Sequence, residues 1–175
     1  MRPDGERTRR GALWFGALLV SAYAHLWWWA PRLPATVPSH FDVHGRADGW
    51  MERGPFLATL AGTYALIALP FLVLPLLLPR LPATWINMPN REYWLAPERR
   101  AATSADMAAR LLRFGAATLA LMVVVAHDAL AAAAAAAAEA DLRGAWLALT
   151  LYAFYTVVWC VGLVRGYRLP RDAGV

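Results

Sequence analysis

Four long apolar segments constrain the fold of this chain more than any other feature. They cover roughly residues 11–30, 55–78, 111–138 and 145–164. A helix rises about 1.5 Å per residue, so about 20 apolar residues cross the roughly 30 Å hydrocarbon core of a bilayer. Each segment reaches that length, and Pro70 and Pro75 in the second segment are tolerated where neighbouring helices satisfy the freed carbonyls. The sequence therefore predicts a single transmembrane domain over residues 1–175, an all-α integral membrane four-helix bundle.

Composition agrees with a membrane protein and argues against several other classes. Hydrophobic residues make up 59% of the chain and nine residues are Trp, which is too apolar for an ordinary soluble domain of this size. The net charge is +5, but the arginines form no basic face with aromatic stacking platforms, so nucleic-acid binding is not indicated. Cys160 is the only cysteine, which excludes an intramolecular disulfide and a cysteine-based zinc site. The sequence has no nucleophile elbow, phosphate-binding glycine loop or zincin histidine pair, so ordinary hydrolase or nucleotide chemistry is unsupported.

The arginines indicate how the segments are oriented. Four of them lie in the two connections on one side of the membrane: Arg32, Arg46, Arg53 and Arg143. The other thirteen lie in the N-terminal arm, the middle loop and the tail: Arg2, Arg7, Arg9, Arg10, Arg80, Arg91, Arg99, Arg100, Arg110, Arg113, Arg165, Arg168 and Arg171. The positive-inside rule therefore predicts that both termini and the middle loop face the cytoplasm.

The first segment is expected to be a retained helix. The segment resembles a cleaved signal peptide in its three regions. Arginines precede it, an apolar run follows them, and Ala22-Tyr23-Ala24 resembles a cleavage site. However, the apolar run continues past that point into Trp27-Trp28-Trp29. Tryptophan is enriched at membrane interfaces, so we expect this cluster to mark the outer interface, with Trp50 and Trp146 in the same belt.

A short pattern directly after the first segment resembles a known family. It consists of Leu33-Pro34, Val37-Pro38, His40-Phe41-Asp42, Gly45 and Asp48-Gly49-Trp50. The pattern resembles the bacterial family called domain of unknown function 1648, which also forms the N-terminal part of SdpI-type immunity and signalling membrane proteins. The segment "INMPNREYWLAPERR", residues 86–100, looks like a second signature of longer family members, so the resemblance covers about residues 11–125. At His44 a small polar residue is commoner in the family.

The resemblance implies a small helical membrane protein, but no established reaction or ligand. SdpI-type proteins protect against a secreted toxin and relay its presence by holding a repressor at the membrane. This chain lacks room for their additional C-terminal half, which limits what the resemblance implies about immunity.

The predicted outer loop carries the first candidate site. Prolines in its approach favour an extended chain, and Gly45 and Gly49 supply turns. In an extended chain, His40, Asp42 and His44 would project to one side and could supply three ligands to zinc or copper, with an open fourth position. The favoured alternative is a structural loop.

In that structural alternative, each polar residue of the loop stabilises the loop itself. Asp42 and Asp48 would cap turns, and His40 would hydrogen-bond the loop to itself. Phe41 and Trp50 would anchor the loop to the membrane interface.

A polar layer is predicted inside the membrane. His25 lies fifteen residues after Arg10 and Asp128 lies fifteen residues after Arg113, which places both about 22 Å from the cytoplasmic edge. An unpaired aspartate there would cost several kcal/mol. We therefore expect Asp128 to pair with His25 or with Arg32.

The same layer could enclose a polar pocket. The second and fourth segments bring further polar side chains to comparable depth: Thr63, Tyr64, Thr150 and Tyr152. The bundle would then hold a pocket open to the outer face below the loop. Alternatively, the long third segment slides outwards and leaves His127 and Asp128 among the headgroups as an ordinary helix end.

The middle loop holds the remaining candidates. Tyr93, Trp94 and Leu95 are expected to enter the membrane interface, while the arginines around them face anionic headgroups. A docking surface for a membrane or cytoplasmic partner is the alternative. The residues of this cytoplasmic motif are Asn87, Pro89, Asn90, Tyr93, Trp94, Arg99 and Arg100.

Together these observations predict a non-enzymatic membrane protein with a proline-rich outer loop and an interfacial cytoplasmic loop. It would sense, bind or resist an extracytoplasmic ligand, such as a peptide toxin or a metal ion, through a set of six residues: His25, His40, Asp42, Asp48, Trp50 and Asp128. One alternative is a membrane metal-binding protein or metalloenzyme. Another is an accessory subunit of a larger membrane complex, in which Trp-rich surfaces pack against partner helices.

Overall fold

A computed structural model describes residues 3–135 and 139–170 of the chain. The helices are α1 (Pro3–Trp29), α2 (Arg53–Leu77), α3 (Arg91–Trp94), α4 (Pro97–Ala134) and α5 (Arg143–Gly166). Between α1 and α2 lie two strands, β1 (Thr36–Phe41) and β2 (Ala47–Glu52). One 3-10 turn, Ala30–Arg32, follows α1, and another, Ala83–Trp85, precedes α3.

The described part of the chain contains three helices that are long and apolar enough to cross a membrane, namely α2, α4 and α5. This confirms a mostly helical chain in which three of the four predicted segments are helices that could span a membrane. Helix α1 has 27 residues and is long enough to span a membrane. However, His25 and the three tryptophans after it lower the mean hydropathy of its apolar part, so it is not among these three helices. Its role as a fourth span, the four-helix bundle and the orientation stay predictions.

Helix α4 differs from the predicted third span at both ends. It begins at Pro97, well before residue 111, because the polar stretch after Pro97 continues the same helix. Pro97 occupies the first turn of this helix, where its missing N–H leaves no hydrogen bond unmade. The helix ends at Ala134. Residues 136–138 of the predicted span, and Arg2 and Arg171 of the predicted cytoplasmic set, lie outside the described residues.

The predicted outer loop is an antiparallel β-hairpin, which corrects the all-α prediction. Thr36 pairs with Glu52, and Pro38 pairs with Trp50. A proline inside a sequence pattern usually argues against a strand. In a two-stranded hairpin, however, each strand has one edge without a partner strand, so the missing N–H of Pro38 is tolerated.

Helix α4 is the centre of the molecule. It packs against α1, α2 and α5 and also contacts β1. The main core consists of side chains from α1, the hairpin, α2 and α4, and its largest fully buried members are Tyr64, Phe15, Leu119, Leu130 and Val37. Helix α5 contributes no buried residue.

Helices α1 and α4 run parallel to each other. Near their N-terminal ends, the Thr8 hydroxyl donates to the carbonyl of Ala105 at 3.1 Å. Near their C-terminal ends, ring nitrogens of His25 and His127 are 3.1 Å apart. The hairpin therefore follows the end of α1 that lies beside the last third of α4.

Candidate functional site

The turn of the hairpin is built around Asp42. Its Oδ1 accepts the backbone N–H of His44 at 2.8 Å and that of Arg46 at 2.9 Å. These donors, with Arg46 contributing most, lower the pKa of Asp42 below its ordinary value. Gly45 has φ 83°, a left-handed conformation that glycine adopts without steric cost. Asp42 thus serves the turn, as in the structural alternative.

A second polar pair crosses the hairpin. Nδ1 of His40 is hydrogen-bonded to Oδ1 of Asp48, and both side chains are more than half exposed. Gly49 lies opposite His40, where a Cβ would lie 3.0 Å from the Cβ of His40. The glycine therefore gives the imidazole room beside its partner strand. Trp50 is 56% exposed on the same hairpin.

The hypothesis of a metal site gains no support from this geometry. Asp42 is bonded to backbone amides, and His40 is bonded to Asp48 rather than to a common centre with His44. In residues 3–135 and 139–170, no three His, Cys, Asp or Glu side chains come together in a group that could hold a metal ion. The loop does not run extended through residues 40–44, because the turn begins at Asp42.

The tip of the hairpin is attached to the connection between α4 and α5. The backbone N–H of Ala140 donates to the carbonyl of Gly45 at 2.7 Å. Beside this bond, Arg46 and Glu139 form an exposed ion pair of 3.5 Å. A Cβ at Gly45 would lie only 2.5 Å from the carbonyl oxygen of Ala140. The glycine is thus required by its φ angle and by this close approach.

A cavity of about 460 Å³ lies beneath the hairpin. It is an open cavity bordered by β1, α2, α4 and the start of α5, and most of its lining is apolar. Its lining includes Ser39, His40, Phe56, Thr63, Tyr64, Val125, Leu142, Trp146 and Leu149. Cavities of this size and composition are typical of sites for small organic ligands.

Tyr64 is the notable polar group of this cavity. The residue is 1% exposed, and among the described residues its hydroxyl has no hydrogen-bond partner. Its ring lies edge-on to that of Tyr23, with the ring centroids 6.0 Å apart. Thr63, the other polar lining residue from α2, is bonded to the carbonyl of Thr59 at 2.9 Å. Of the two polar lining residues from α2, Tyr64 is therefore the one whose hydroxyl has no partner among the described residues.

The predicted polar pocket is only partly assembled. Thr63 and Tyr64 line the cavity, as expected. Thr150 and Tyr152 do not line it. Thr150 donates to the carbonyl of Trp146 at 2.9 Å, and the Tyr152 hydroxyl is 2.8 Å from that of Thr118.

His25 meets His127 rather than Asp128, which corrects the predicted pairing. Nε2 of His25 is 3.0 Å from the indole nitrogen of Trp29 and 3.1 Å from Nδ1 of His127. Because an indole N–H can only donate, Nε2 of His25 accepts a hydrogen bond from Trp29. His127, which lies fourteen residues after Arg113, is thus the partner of His25 at this level of the two helices.

Asp128 instead caps the start of α5. Its Oδ2 accepts the backbone N–H of Ala145 at 2.7 Å. A Cβ at Gly144 would lie 2.9 Å from the same oxygen, so the glycine admits the carboxylate. A negative group at a helix N-terminus is stabilising. The predicted alternative partner, Arg32, lies over the ring of Trp28 at 3.7 Å and donates to its carbonyl.

This hairpin, with its Asp42 turn, its positive-φ Gly45 and the His40–Asp48 pair, lies within a region that matches a known family model. Residues 13–62 match the family model Domain of unknown function (DUF1648). The predicted resemblance is thereby confirmed for these residues. No curated protein and no solved structure matches the chain.

The DUF1648 match covers most of α1, the hairpin and the first ten residues of α2. Helix α4, on which all three pack, lies outside it. The broader resemblance that was expected over residues 63–125, including the cytoplasmic motif, stays a prediction. The cavity beneath the hairpin thus combines DUF1648 residues such as His40 with residues of α4 and α5.

The cytoplasmic motif packs against the protein to a greater extent than predicted. Nδ2 of Asn90 and Nε1 of Trp94 both donate to the carbonyl of Tyr167, at 2.8 and 2.9 Å. The Tyr167 hydroxyl donates to Asp106 at 2.8 Å, and burial raises the pKa of Tyr167 above its ordinary value. Leu95 is buried. The motif therefore fixes the C-terminal end of α5.

Two arginines of the motif also donate hydrogen bonds within the protein. Nε of Arg99 donates to the carbonyl of Tyr93 at 2.8 Å, with the guanidinium 3.9 Å from the Tyr93 ring centroid. Arg100 donates to the carbonyls of Leu81 and Pro79. Arg99 and Arg100 thus have a structural role, and their contact with lipid headgroups stays a prediction. Asn87 is exposed, and Pro89 is half-buried.

Sequence reasoning missed the residues that α5 contributes to the cavity. Trp146 and Leu149 of α5, with Leu142 directly before it, line the cavity, and only Trp146 was noticed, as an interface marker. Their position depends on how α5 lies against α4, which leaves no signal in the local pattern. Tyr167 was also missed, because its role depends on a backbone carbonyl that every residue carries.

Proposed function

We propose that this chain is a multi-pass protein of the bacterial inner membrane that binds an amphipathic extracytoplasmic ligand in the cavity beneath the hairpin. The ligand class is a secreted peptide or another small amphiphile with an apolar body and a hydrogen-bond acceptor. This role is non-enzymatic, and it is of the ligand-sensing or ligand-resisting kind that the sequence predicts.

The unpartnered Tyr64 hydroxyl in the cavity is the observation that carries this proposal. Burying a hydroxyl without a partner costs about 1–3 kcal/mol. The cost would be recovered if a ligand accepted a hydrogen bond from Tyr64, while its apolar part displaced water from the surrounding side chains. His40 and Ser39 place two further polar groups on the hairpin side of the same cavity.

The proposed orientation places the hairpin outside and both termini inside. Its support is the arginine distribution. Trp27, Trp28, Trp50 and Trp146 are all more than half exposed, as expected of an interface belt at the hairpin end. We also include α1 as a fourth span, since it runs parallel to α4 from Thr8 to His25 and would share the membrane with it.

A fluorescence titration with 1-anilinonaphthalene-8-sulfonate, an aromatic amphiphile, tests the proposed site. The protein would be held in nanodiscs of neutral lipid, and empty nanodiscs would give the background. We expect saturable binding to the parent protein. Leu149→Trp, which fills the cavity from an exposed position, should weaken binding at least about tenfold, because it occupies the volume needed by the probe.

Leu147→Trp is the matched control, because Leu147 is 62% exposed on the same helix and does not line the cavity. It should bind like the parent. Tyr64→Phe keeps the ring and removes only the hydroxyl, so it should weaken binding about five- to tenfold. Probe binding that does not saturate, or that is equally strong in Leu149→Trp, contradicts the proposal.

A further inference from the structure

A basic groove lies between α1 and α4 at the end of the molecule opposite the hairpin. It has a volume of about 490 Å³. Three arginines line it, Arg7 and Arg10 from α1 and Arg113 from α4, together with Trp14 and Asp106. Its remaining lining consists of small or apolar residues: Gly11, Ala105, Ala109, Leu112 and Ala116.

The parallel packing of the two helices brings these arginines together. Thr8 of α1 bonds to Ala105 of α4, which fixes their register at this end. Arg7 and Arg10 lie three residues apart on α1, so both can project towards the same side. Arg113 lies two turns beyond Ala105 on α4 and reaches the groove from the opposite wall.

The charges of the groove leave a cationic excess. The carboxylate of Asp106 is bonded to Nε of Arg110 at 2.6 Å and to the hydroxyl of Tyr167 at 2.8 Å. Arg10 pairs with Glu6 at 2.5 Å. Within the described side chains, Arg7 and Arg113 have no carboxylate partner. Two guanidinium groups are therefore available to an anion.

Trp14 identifies the environment of that anion. The residue is 76% exposed and lies one helical turn after Arg10, on the side of α1 that points along the groove. An exposed indole beside arginines is typical of the headgroup level of a membrane. A soluble anion would make no apolar contact with the wall formed by Trp14, Leu112 and Ala116. A lipid would pack its first acyl carbons against this wall.

We infer that this groove binds the phosphodiester headgroup of an anionic phospholipid. Arg7 and Arg113 hold the phosphate oxygens, and guanidinium groups suit phosphate because they can donate two parallel hydrogen bonds. Trp14 lies against the glycerol and the upper acyl chain. The site is independent of the cavity beneath the hairpin.

Native mass spectrometry of the full chain in detergent, with added phosphatidylglycerol or phosphatidylcholine, tests this inference. We expect phosphatidylglycerol to bind at least about tenfold more tightly than phosphatidylcholine. The double variant Arg7→Gln/Arg113→Gln should lose at least about tenfold of the affinity for phosphatidylglycerol. Trp14→Ala should weaken both lipids.

The control Arg9→Gln/Arg165→Gln removes the same charge from two exposed arginines near this end that do not line the groove. It should keep parental binding to within about twofold. Equal loss in the control would overturn the inference, because binding would then follow net charge alone. Displacement of the lipid by millimolar inorganic phosphate would also overturn it, because the occupant would then be a free anion.

Discussion

At the scale of single residues, the hairpin depends on two positions that act on its backbone. Asp42 accepts two backbone N–H groups, and Gly45 combines φ 83° with a close approach to Ala140. Both belong to the pattern that gave the family resemblance. Turn formation therefore accounts for both residues without a ligand.

The Asp42 turn should weaken in acid. The pKa of Asp42 is lower in the folded chain than its ordinary value of 3.8, so its stabilising effect is complete above that value. The effect should be lost as the pH falls through the lowered folded-state pKa, because the protonated group accepts hydrogen bonds less well. Protection factors for hydrogen exchange at the His44 and Arg46 amides would measure the loss.

Asp42→Asn is the matched control for this prediction. The amide keeps an acceptor oxygen but does not titrate, so its protection factors should not change over the same pH range. Unchanged protection in the parent protein down to about pH 2 would show that the carboxylate contributes nothing to the turn.

At the scale of helices and strands, the close contact between α2 and α4 depends on Gly115. The residue is buried, and a Cβ there would lie 2.8 Å from the Cβ of Phe71. Phe71 lies one residue after Pro70, inside α2. Glycine thus allows a bulky side chain of one helix to lie on the backbone of the other, as is common between membrane helices.

Gly115→Ala should therefore destabilise the protein by roughly 1–3 kcal/mol, because Phe71 and the α2 backbone must move apart. Gly62→Ala is the control, since a Cβ at Gly62 meets no other atom within 4 Å. Alanine is the better helix former, so the control should be neutral or slightly stabilised. Thermal unfolding in detergent, followed by circular dichroism, would measure both. Equal melting temperatures in the two variants would argue against the contact.

The helices were largely predictable, and the hairpin was not. Residues 55–78 and 145–164 were expected as spans, and the structure has Arg53–Leu77 and Arg143–Gly166, because long apolar runs have one stable solution in lipid. The hairpin was missed because six-residue strands that include Pro38 give a weak pattern. The pairing of His25 was predicted to the right layer but the wrong partner, since a shift of one residue turns a side chain by about 100° around the helix.

At the scale of the whole molecule, the DUF1648 region forms a wall on one side of α4. Helix α1, the hairpin and α2 surround one face of α4, and α5 lies on another. The two candidate sites are at opposite ends of this arrangement. The cavity beneath the hairpin uses all three spans, whereas the basic groove uses only α1 and α4.

The proposed orientation predicts opposite labelling of the two ends. In a Cys160→Ser background, Val43→Cys in the hairpin should react with a membrane-impermeant maleimide in intact cells. Trp85→Cys in the middle loop should react only after the cells are permeabilised. Both positions are highly exposed, at 74% and 76%, so accessibility within the protein is matched. The reverse pattern would contradict the orientation that we propose.

Helix α5 is fastened at both ends by groups that precede it in the chain. Asp128 and the hairpin tip hold its start, and Asn90 and Trp94 hold its end through Tyr167. The main core contains no α5 residue. During synthesis, the earlier helices can therefore assemble before α5 leaves the ribosome. Helix α5 can then pack against binding groups that are already in place.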